Sequence, residues 1–255
     1  MSSITENAAA FLVAARRMQR PGERLPEAWR PGDVDAALAI QQRVTELLAS
    51  PIGGWKCSLP TPERPVAMAP IYAPTIFERS PCPILPIAGK ARIEPEIAFV
   101  MARDLPPRSS PYSETEIRAA IREPRMVLEL IGPRYADPAA ASFVELLADG
   151  VANQGLFAGP IVADALERQL DRLPITIDAD ATQLHAVQGR HPDGHPLKPL
   201  VWLANFLAQR SDGLRAGQIV TTGSYCGVVD VALNVELTVR FGDLGALSSR
   251  FRAAN

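Results

Sequence analysis

Apolar and polar positions change period several times along the chain, and each change marks an element. After Asp33, apolar residues recur at Ala37, Ile40, Val44, Leu47 and Leu48. This i, i+3, i+4 spacing predicts a helix with one buried face, and Asp33 is suited to cap it. An earlier run, "AAAFLVAA", is followed by "RRMQR". It is too short for a membrane span and lacks the basic start of a signal peptide, so it reads as the core face of another helix. Gly53 and Gly54 end the helical pattern, and the stretch onward to Pro86 is proline-rich, with short extended pieces. "IEPEIAFVM" and "RMVLELI" read as strands, and Ser113 with Glu116 forms the capping box of a short helix between them. Asp137-Pro138 predicts the start of a helix through "AAASFVELLADGVANQ". "PLVWLANFLAQR" is apolar nearly all round and predicts a buried helix. "VALNVELTVRF" alternates strictly. Val231, Leu233, Val235, Leu237, Val239 and Phe241 share one face, and Asn234, Glu236 and Arg240 the other, which predicts one half-buried strand. "GDLG" then turns the chain into a last short strand, "ALSSRF".

The pattern predicts an α+β chain. A helical N-terminal part, residues 1–52, packs on a β-rich core, residues 53–255, built from a mixed sheet rolled toward a barrel. The length of 255 residues permits one large core. A formal net charge of −2 gives no electrostatic case for a nucleic-acid partner. Cys57, Cys82 and Cys226 are odd in number and scattered, with no CxxC spacing, which points to a reducing cytoplasm.

Three glutamates stand out. Glu94 and Glu96 lie two apart in a strand and so share a face, roughly 7 Å apart. Glu129 sits inside "MVLELI" with leucine on both sides. Buried carboxylates are costly unless paired or bound to a metal. Arg92, Arg103, Arg125 and Arg134 are close enough in sequence to pair with them. A divalent cation is the other candidate, and three oxygen ligands with no histidine beside them suit Mg²⁺ or Mn²⁺. Glu236 is the contrasting case, a strand glutamate whose alternation turns it to water. His191 and His195 lie in the turn-rich "GRHPDGHP" and read as loop residues, with His185 just before it. No Ser-His-Asp or Cys-His pattern is present.

In order and spacing, "VDAALAIQQRV", "GGWKCSLP", "PIYAPTIFE", "EPEIAFVMARDLP", "VLELIGPRY", "ADGVANQGLFAGP", "GHPLKPLVWLANFLA", "LRAGQIVTTGSYCG" and "GDLGALSSRF" resemble the 2-keto-4-pentenoate hydratases and 4-oxalocrotonate decarboxylases of the fumarylacetoacetate hydrolase-like superfamily. The resemblance implies that the chain is a single catalytic domain and a cytoplasmic homo-oligomer acting in aromatic compound breakdown. It implies that Glu94, Glu96 and Glu129 are the ligands of Mg²⁺ or Mn²⁺. Lys56 and Glu78 become active-site residues, the lysine supplying positive charge or a proton and the glutamate orienting water. Ser224 becomes a substrate-carboxylate ligand, with Tyr225 lining the pocket or packing beside it. The implied reaction is hydration of a 2-hydroxy-2,4-dienoate to a 4-hydroxy-2-oxo acid. The alternatives are decarboxylation of a 2-oxo-3-enedioate, or binding of a 2-oxo acid without turnover. A C–C hydrolase relying on a lid histidine fits less well, because no histidine precedes His185. The chain departs from the family at Cys57 and Ser58 after the lysine, at Arg79 beside Glu78, at Gly132 after "ELI", and at Gly150 after Asp149. Arg79 in place of a carboxylate would favour a substrate with an extra acidic group.

Overall fold

The computed structural model describes residues 3–210 and 213–254. The elements run α1 (Ile4–Met18), α2 (Val34–Leu48), β1 (Ile52–Ser58), β2 (Ala67–Tyr72), β3 (Ile76–Phe77), β4 (Cys82–Ile84) and β5 (Lys90–Met101). They continue with α3 (Glu114–Arg118), β6 (Ile121–Ile131), α4 (Phe143–Ala148), β7 (Asn153–Ile161), β8 (Arg172–Ala179), β9 (Thr182–Arg190) and α5 (Leu197–Gln209). Five short strands close the chain: β10 (Ile219–Thr221), β11 (Val229–Ala232), β12 (Leu237–Phe241), β13 (Ala246–Ser249) and β14 (Phe251–Ala253).

An eight-stranded curled sheet is the centre of the fold. Its order is β2-β1-β10-β5-β6-β7-β3, with β11 also paired to β5. The β1–β10 and β3–β7 pairs are parallel and the rest antiparallel, so the sheet is mixed. A four-stranded sheet, β13-β12-β8-β9, and a parallel β4–β14 pair complete the strands. The main core lies among these sheets and α5, with Phe99, Phe241 and Phe251 fully buried. A second apolar cluster joins α1, α2 and α4 through Leu12, Ile40, Val44 and Leu147.

The pattern-based elements hold for α2, where Asp33 accepts the Ala36 N–H, and for α3, whose Ser113–Glu116 capping box is formed on both sides. The β5 and β6 strands also form where the pattern predicts them. Two elements differ. The helix expected from Asp137 is only a single 3₁₀ turn at Pro138–Ala140. Ser142 and Glu145 then form a second capping box that starts α4, and the chain turns left-handed at Gly150 before entering β7. The strand expected over residues 231–241 is two strands. Asn234 adopts φ +62°, and the turn sends β11 to β5 but β12 to β8 and β13. The alternation survives the break, because Val231, Leu237, Val239 and Phe241 are all buried. Helix α5 buries Leu200, Leu203, Ala204 and Leu207 on one face, while Trp202 and Phe206 stack on its half-exposed side.

Candidate active site

The site is built on β5. On one edge β5 pairs with β6, which sets Glu94 directly opposite Glu129. On the other edge β10 pairs with residues 98–100 and β11 with residues 90–93. Between those two pairings the ladder is open, and the 222–228 loop crosses the gap. Pro95, in the gap, has no N–H to offer a strand. Its carbonyl accepts the Tyr225 N–H and the Ser224 Oγ, each at 3.2 Å. The Thr222 and Gly223 N–H groups donate to Glu96 Oε2 at 2.9 and 2.8 Å.

Glu94, Glu96 and Glu129 each bring an oxygen to within 4.8 Å of the others. Glu96 and Glu129 are 2% and 1% exposed. The cation beside them is Lys56, whose Nζ lies 2.5 Å from Glu129 Oε1 and 3.2 Å from the Val151 carbonyl. Lys56 is carried by β1, which packs closely on β10 because Gly54 lacks the Cβ that would collide with the Ile219 carbonyl. Asn153 Nδ2 donates to the same Glu129 oxygen at 2.9 Å. The four arginines close in sequence are placed elsewhere. Arg92 pairs with Asp230, Arg125 with Glu123 and Glu78, and Arg134 with Asp149, while Arg103 is exposed.

Three carboxylates therefore face one ammonium. Burial pushes the Glu94 carboxyl up to about 7, helped by the Glu129 charge and opposed by Lys56. Burial likewise pushes Glu96 well up, with Glu129 and Glu94 adding to it against the Gly223 N–H and Lys56. Burial pulls the Lys56 ammonium down, but the charges of Glu129, Glu94 and Glu96 outweigh it and the net direction is up. The cluster thus lacks positive charge. Its donors are all hard carboxylate oxygens, the set that suits a divalent cation. The residues present fit such an ion.

The carboxylates open into a cavity of about 420 Å³, whose wall includes Lys56, Ser58, Arg64, Asp193, Thr221 and Ser224. Thr221 Oγ1 is buried with no hydrogen-bond partner among the described residues. Ser224 faces this cavity, although its Oγ is also bonded to the Gly227 carbonyl at 3.1 Å. Tyr225 packs into the core instead, its hydroxyl donating to the Leu170 carbonyl at 2.7 Å. Glu78 is not brought to the cavity. Its side chain is exposed and paired with Arg125 Nη1 at 2.9 Å, not with Arg79. Arg79 is exposed and off the cavity wall, and Arg64 is the arginine that faces it. At Gly132, Gln154 fills the space a Cβ would need and bonds the Ile131 carbonyl.

Sequence reasoning missed Thr221, Asp193 and Asn153. Asp193 lies in a loop read only as a turn, where its Oδ2 accepts the Leu59 N–H at 2.9 Å. His191 belongs to the same loop and is buried edge-on to Tyr225, and burial pushes its imidazole down to about 4. No histidine joins the carboxylates among the described residues.

This mixed curled sheet is shared by solved structures, including one described as a fumarylacetoacetate hydrolase family protein from Yersinia pestis, at 15% identity and a TM-score of 0.54 over 78% of this chain and 91% of that one. The 4-oxalocrotonate decarboxylase of Pseudomonas putida, solved in complex with magnesium and adipate, matches over 97% of each chain with a TM-score of 0.77 at 21% identity. The sequence itself is similar to two groups of proteins. It is 28% identical to a 4-oxalocrotonate decarboxylase of Pseudomonas putida, over 63% of this chain and 60% of the relative. It is 26% identical to a 2-keto-4-pentenoate hydratase of Paraburkholderia phymatum, over 96% and 97% of the respective chains. The decarboxylase match thus spans three-fifths of that relative's length, and the hydratase match nearly all. No protein-family model matches the chain.

Proposed function

We propose that the protein is a divalent-metal-dependent lyase that hydrates a 2-hydroxy-2,4-dienoate to a 4-hydroxy-2-oxo acid. The observation that carries this reading is the convergence of Glu94, Glu96 and Glu129 on one cavity, with Lys56 as their nearest cation. The three carboxylates would hold Mg²⁺ or Mn²⁺, which stabilises negative charge on the 2-oxygen and carboxylate of a 2-oxo acid. Lys56 places an ammonium beside the same oxygens, where it favours the enolate and can deliver a proton. Thr221 and Ser224 offer hydroxyls to the substrate carboxylate. In ketonisation the 2-hydroxyl loses its proton and C5 gains one, leaving a C3=C4 double bond conjugated to the 2-oxo group. Water then adds its oxygen to C4, and a proton ends on C3. Asp193 also lines the cavity, outside the cluster, and would orient that water in the role the resemblance gave Glu78.

Arg64 favours a second reading. It faces the cavity and has no acidic partner among the described residues, which suits a distal carboxylate. In a 2-oxo-3-enedioate, the bond to that carboxylate would break and its electron pair would run into the conjugated 2-oxo group, releasing CO₂. We place the enzyme in the cytoplasm as a homo-oligomer. Three free cysteines suit a reducing compartment, and no helix among the described residues is long and apolar enough to cross a membrane.

The test is Mn²⁺ calorimetry on the wild type and on Glu129→Gln, with oxalate as a mimic of the enolised 2-oxo acid, followed by turnover of the two substrates. Binding that needs Glu129 and tightens with oxalate, together with conversion of the dienoate to the 4-hydroxy-2-oxo acid, is expected. CO₂ release from the enedioate alone would select the second reading. Absence of Mn²⁺ binding in both proteins would overturn both.

A further inference from the structure

Gly150, Val151 and Ala152 are three consecutive left-handed residues, with φ of +82°, +51° and +57°. Glycine adopts this conformation freely at the end of a helix. Alanine does so at a cost, and a β-branched valine is a true outlier there. The strained turn joins α4 to β7, and the atoms it displays are those that reach the site. The Val151 carbonyl faces Lys56 Nζ, and Asn153, the first residue past the turn, bonds Glu129.

Strained backbone persists only where its surroundings over-determine it. Here a single guanidinium grips the turn from both sides. Arg134 Nη2 donates to the Asp149 carbonyl just before it, and Nη1 to the Asn153 carbonyl just after it, each at 2.6 Å. Nη1 also reaches the Gly132 carbonyl at 2.6 Å, and Nε bonds Asp149 Oδ1 at 2.5 Å. Arg134 is 3% exposed, too deep to meet substrate. Arg16 of α1 adds a second donor to the Asp149 carbonyl at 2.6 Å.

We propose that Arg134 is a positioning residue: by bridging the carbonyls on either side of the 150–152 turn, it holds Val151 and Asn153 where they fix Lys56 and Glu129. The reading of the glutamates as metal ligands underlies one of the two readouts below, and the other is independent of it.

The experiment compares the wild type with Arg134→Lys, Arg134→Gln and the double variant Arg134→Gln/Asp149→Asn. The double variant removes both charges of the buried Arg134–Asp149 pair, leaving only the partly exposed Arg16 without that carboxylate, so it keeps the test open if the single variants do not fold. Two quantities are read well below each protein's Tm. One is the Mn²⁺ Kd by calorimetry. The other is the acylation rate of Lys56 Nζ in metal-free protein, followed by mass spectrometry. Loss of a residue that orients a metal ligand weakens metal binding by about 10–100-fold, and that loss is expected in every folded variant together with faster acylation of Lys56. Arg134→Lys should fail as Arg134→Gln does, because an ammonium keeps the charge but lacks the planar fork that spans both carbonyls. A folded double variant with wild-type Kd and acylation rate would overturn the proposal, and so would full recovery of both values by Arg134→Lys. If the wild type itself binds no Mn²⁺, the metal reading falls and acylation alone decides: faster labelling in the variants upholds the positioning role, and equal labelling overturns it.

Discussion

Replacing Lys56 by methionine removes the ammonium closest to the three carboxylates while keeping much of the side chain's bulk. The Lys56–Glu129 pair is close, at 2.5 Å, with side chains 15% and 1% exposed. Removing one partner of a buried pair costs about 3–5 kcal/mol. The lower end applies, because Glu94 and Glu96 are already pushed toward their neutral forms and can take up protons instead. At about 2–4 °C per kcal/mol for a chain of this size, Tm should fall by about 6–12 °C at pH 8 in metal-free protein. Lys56 itself stays charged across this range, so the pH dependence comes from Glu94 and Glu96. Without the ammonium that opposes it, their upward shift grows, and the variant loses stability as pH rises through that window. At pH 5 Glu94 and Glu96 are largely protonated and the loss should shrink to a few degrees. Mn²⁺ at one fixed concentration, a hundredfold over the wild-type Kd, adds about 2.7 kcal/mol to the wild type. It should raise the Tm of Lys56→Met more than that of the wild type, because no ammonium competes at Glu129 Oε1. Thermal melts at pH 5 and 8, with and without Mn²⁺, check all of this. A loss that is the same at both pH values, or a Mn²⁺ gain no larger than in the wild type, would refute the reasoning.

Further predictions follow from the same geometry. In metal-free wild type, the rise of the Glu94 carboxyl from 4.5 to about 7 means the folded state holds a proton the unfolded state gives up. Stability should therefore fall by about 3 kcal/mol between pH 4.5 and 7 on account of Glu94, with Glu96 adding to the fall, as read by urea unfolding; a flat profile would contradict the burial of these groups. Glu78→Gln breaks only an exposed ion pair, so stability should change by less than about 1 kcal/mol and turnover should stay at the wild-type level. A turnover collapse in that variant would restore Glu78 to the reaction. Arg64→Ala should raise KM for a dienedioate by about tenfold, equivalent to about 1.4 kcal/mol, and leave a monocarboxylic dienoate unaffected. Equal effects on both would remove Arg64 from substrate selection.

Much of the frame is legible in the sequence because periodicity reports burial. The i, i+3, i+4 stripe gives α2, the capping box gives α3, and the two-residue period puts Glu94 and Glu96 on one face. Local pattern fails where tertiary pairing decides. The stretch from Val231 to Phe241 alternates without interruption, yet its two halves belong to different sheets. Asp137-Pro138 is a sound helix start that α4 supersedes with the stronger Ser142 cap. The contact of Glu129 with Glu94 is a cross-strand register, which no local pattern encodes, and the family resemblance supplied it. Thr221 and Asp193 carry no local signature: an ordinary strand threonine and a loop aspartate join the cavity through long-range folding. Glu78 is the opposite case, a position matched by motif whose exposed side chain pairs with Arg125 away from the cavity.

The break in the β5 ladder makes the site separable from the scaffold. Two strand pairings, with β10 and β11, clamp the ends of the 222–228 loop, so the sheet's register does not depend on what lies between them. Thr222 to Tyr225 hold Glu96 and Pro95, but residues 226–228 beyond them can change in length or chemistry, reshaping the cavity wall while β5 and its glutamates stay in place. Loops held by rigid elements are where proteins tolerate insertion and vary function. The gap thus acts as a cassette boundary, and the 226–228 segment is the natural place to exchange sequence when new substrate preferences are sought on this fold.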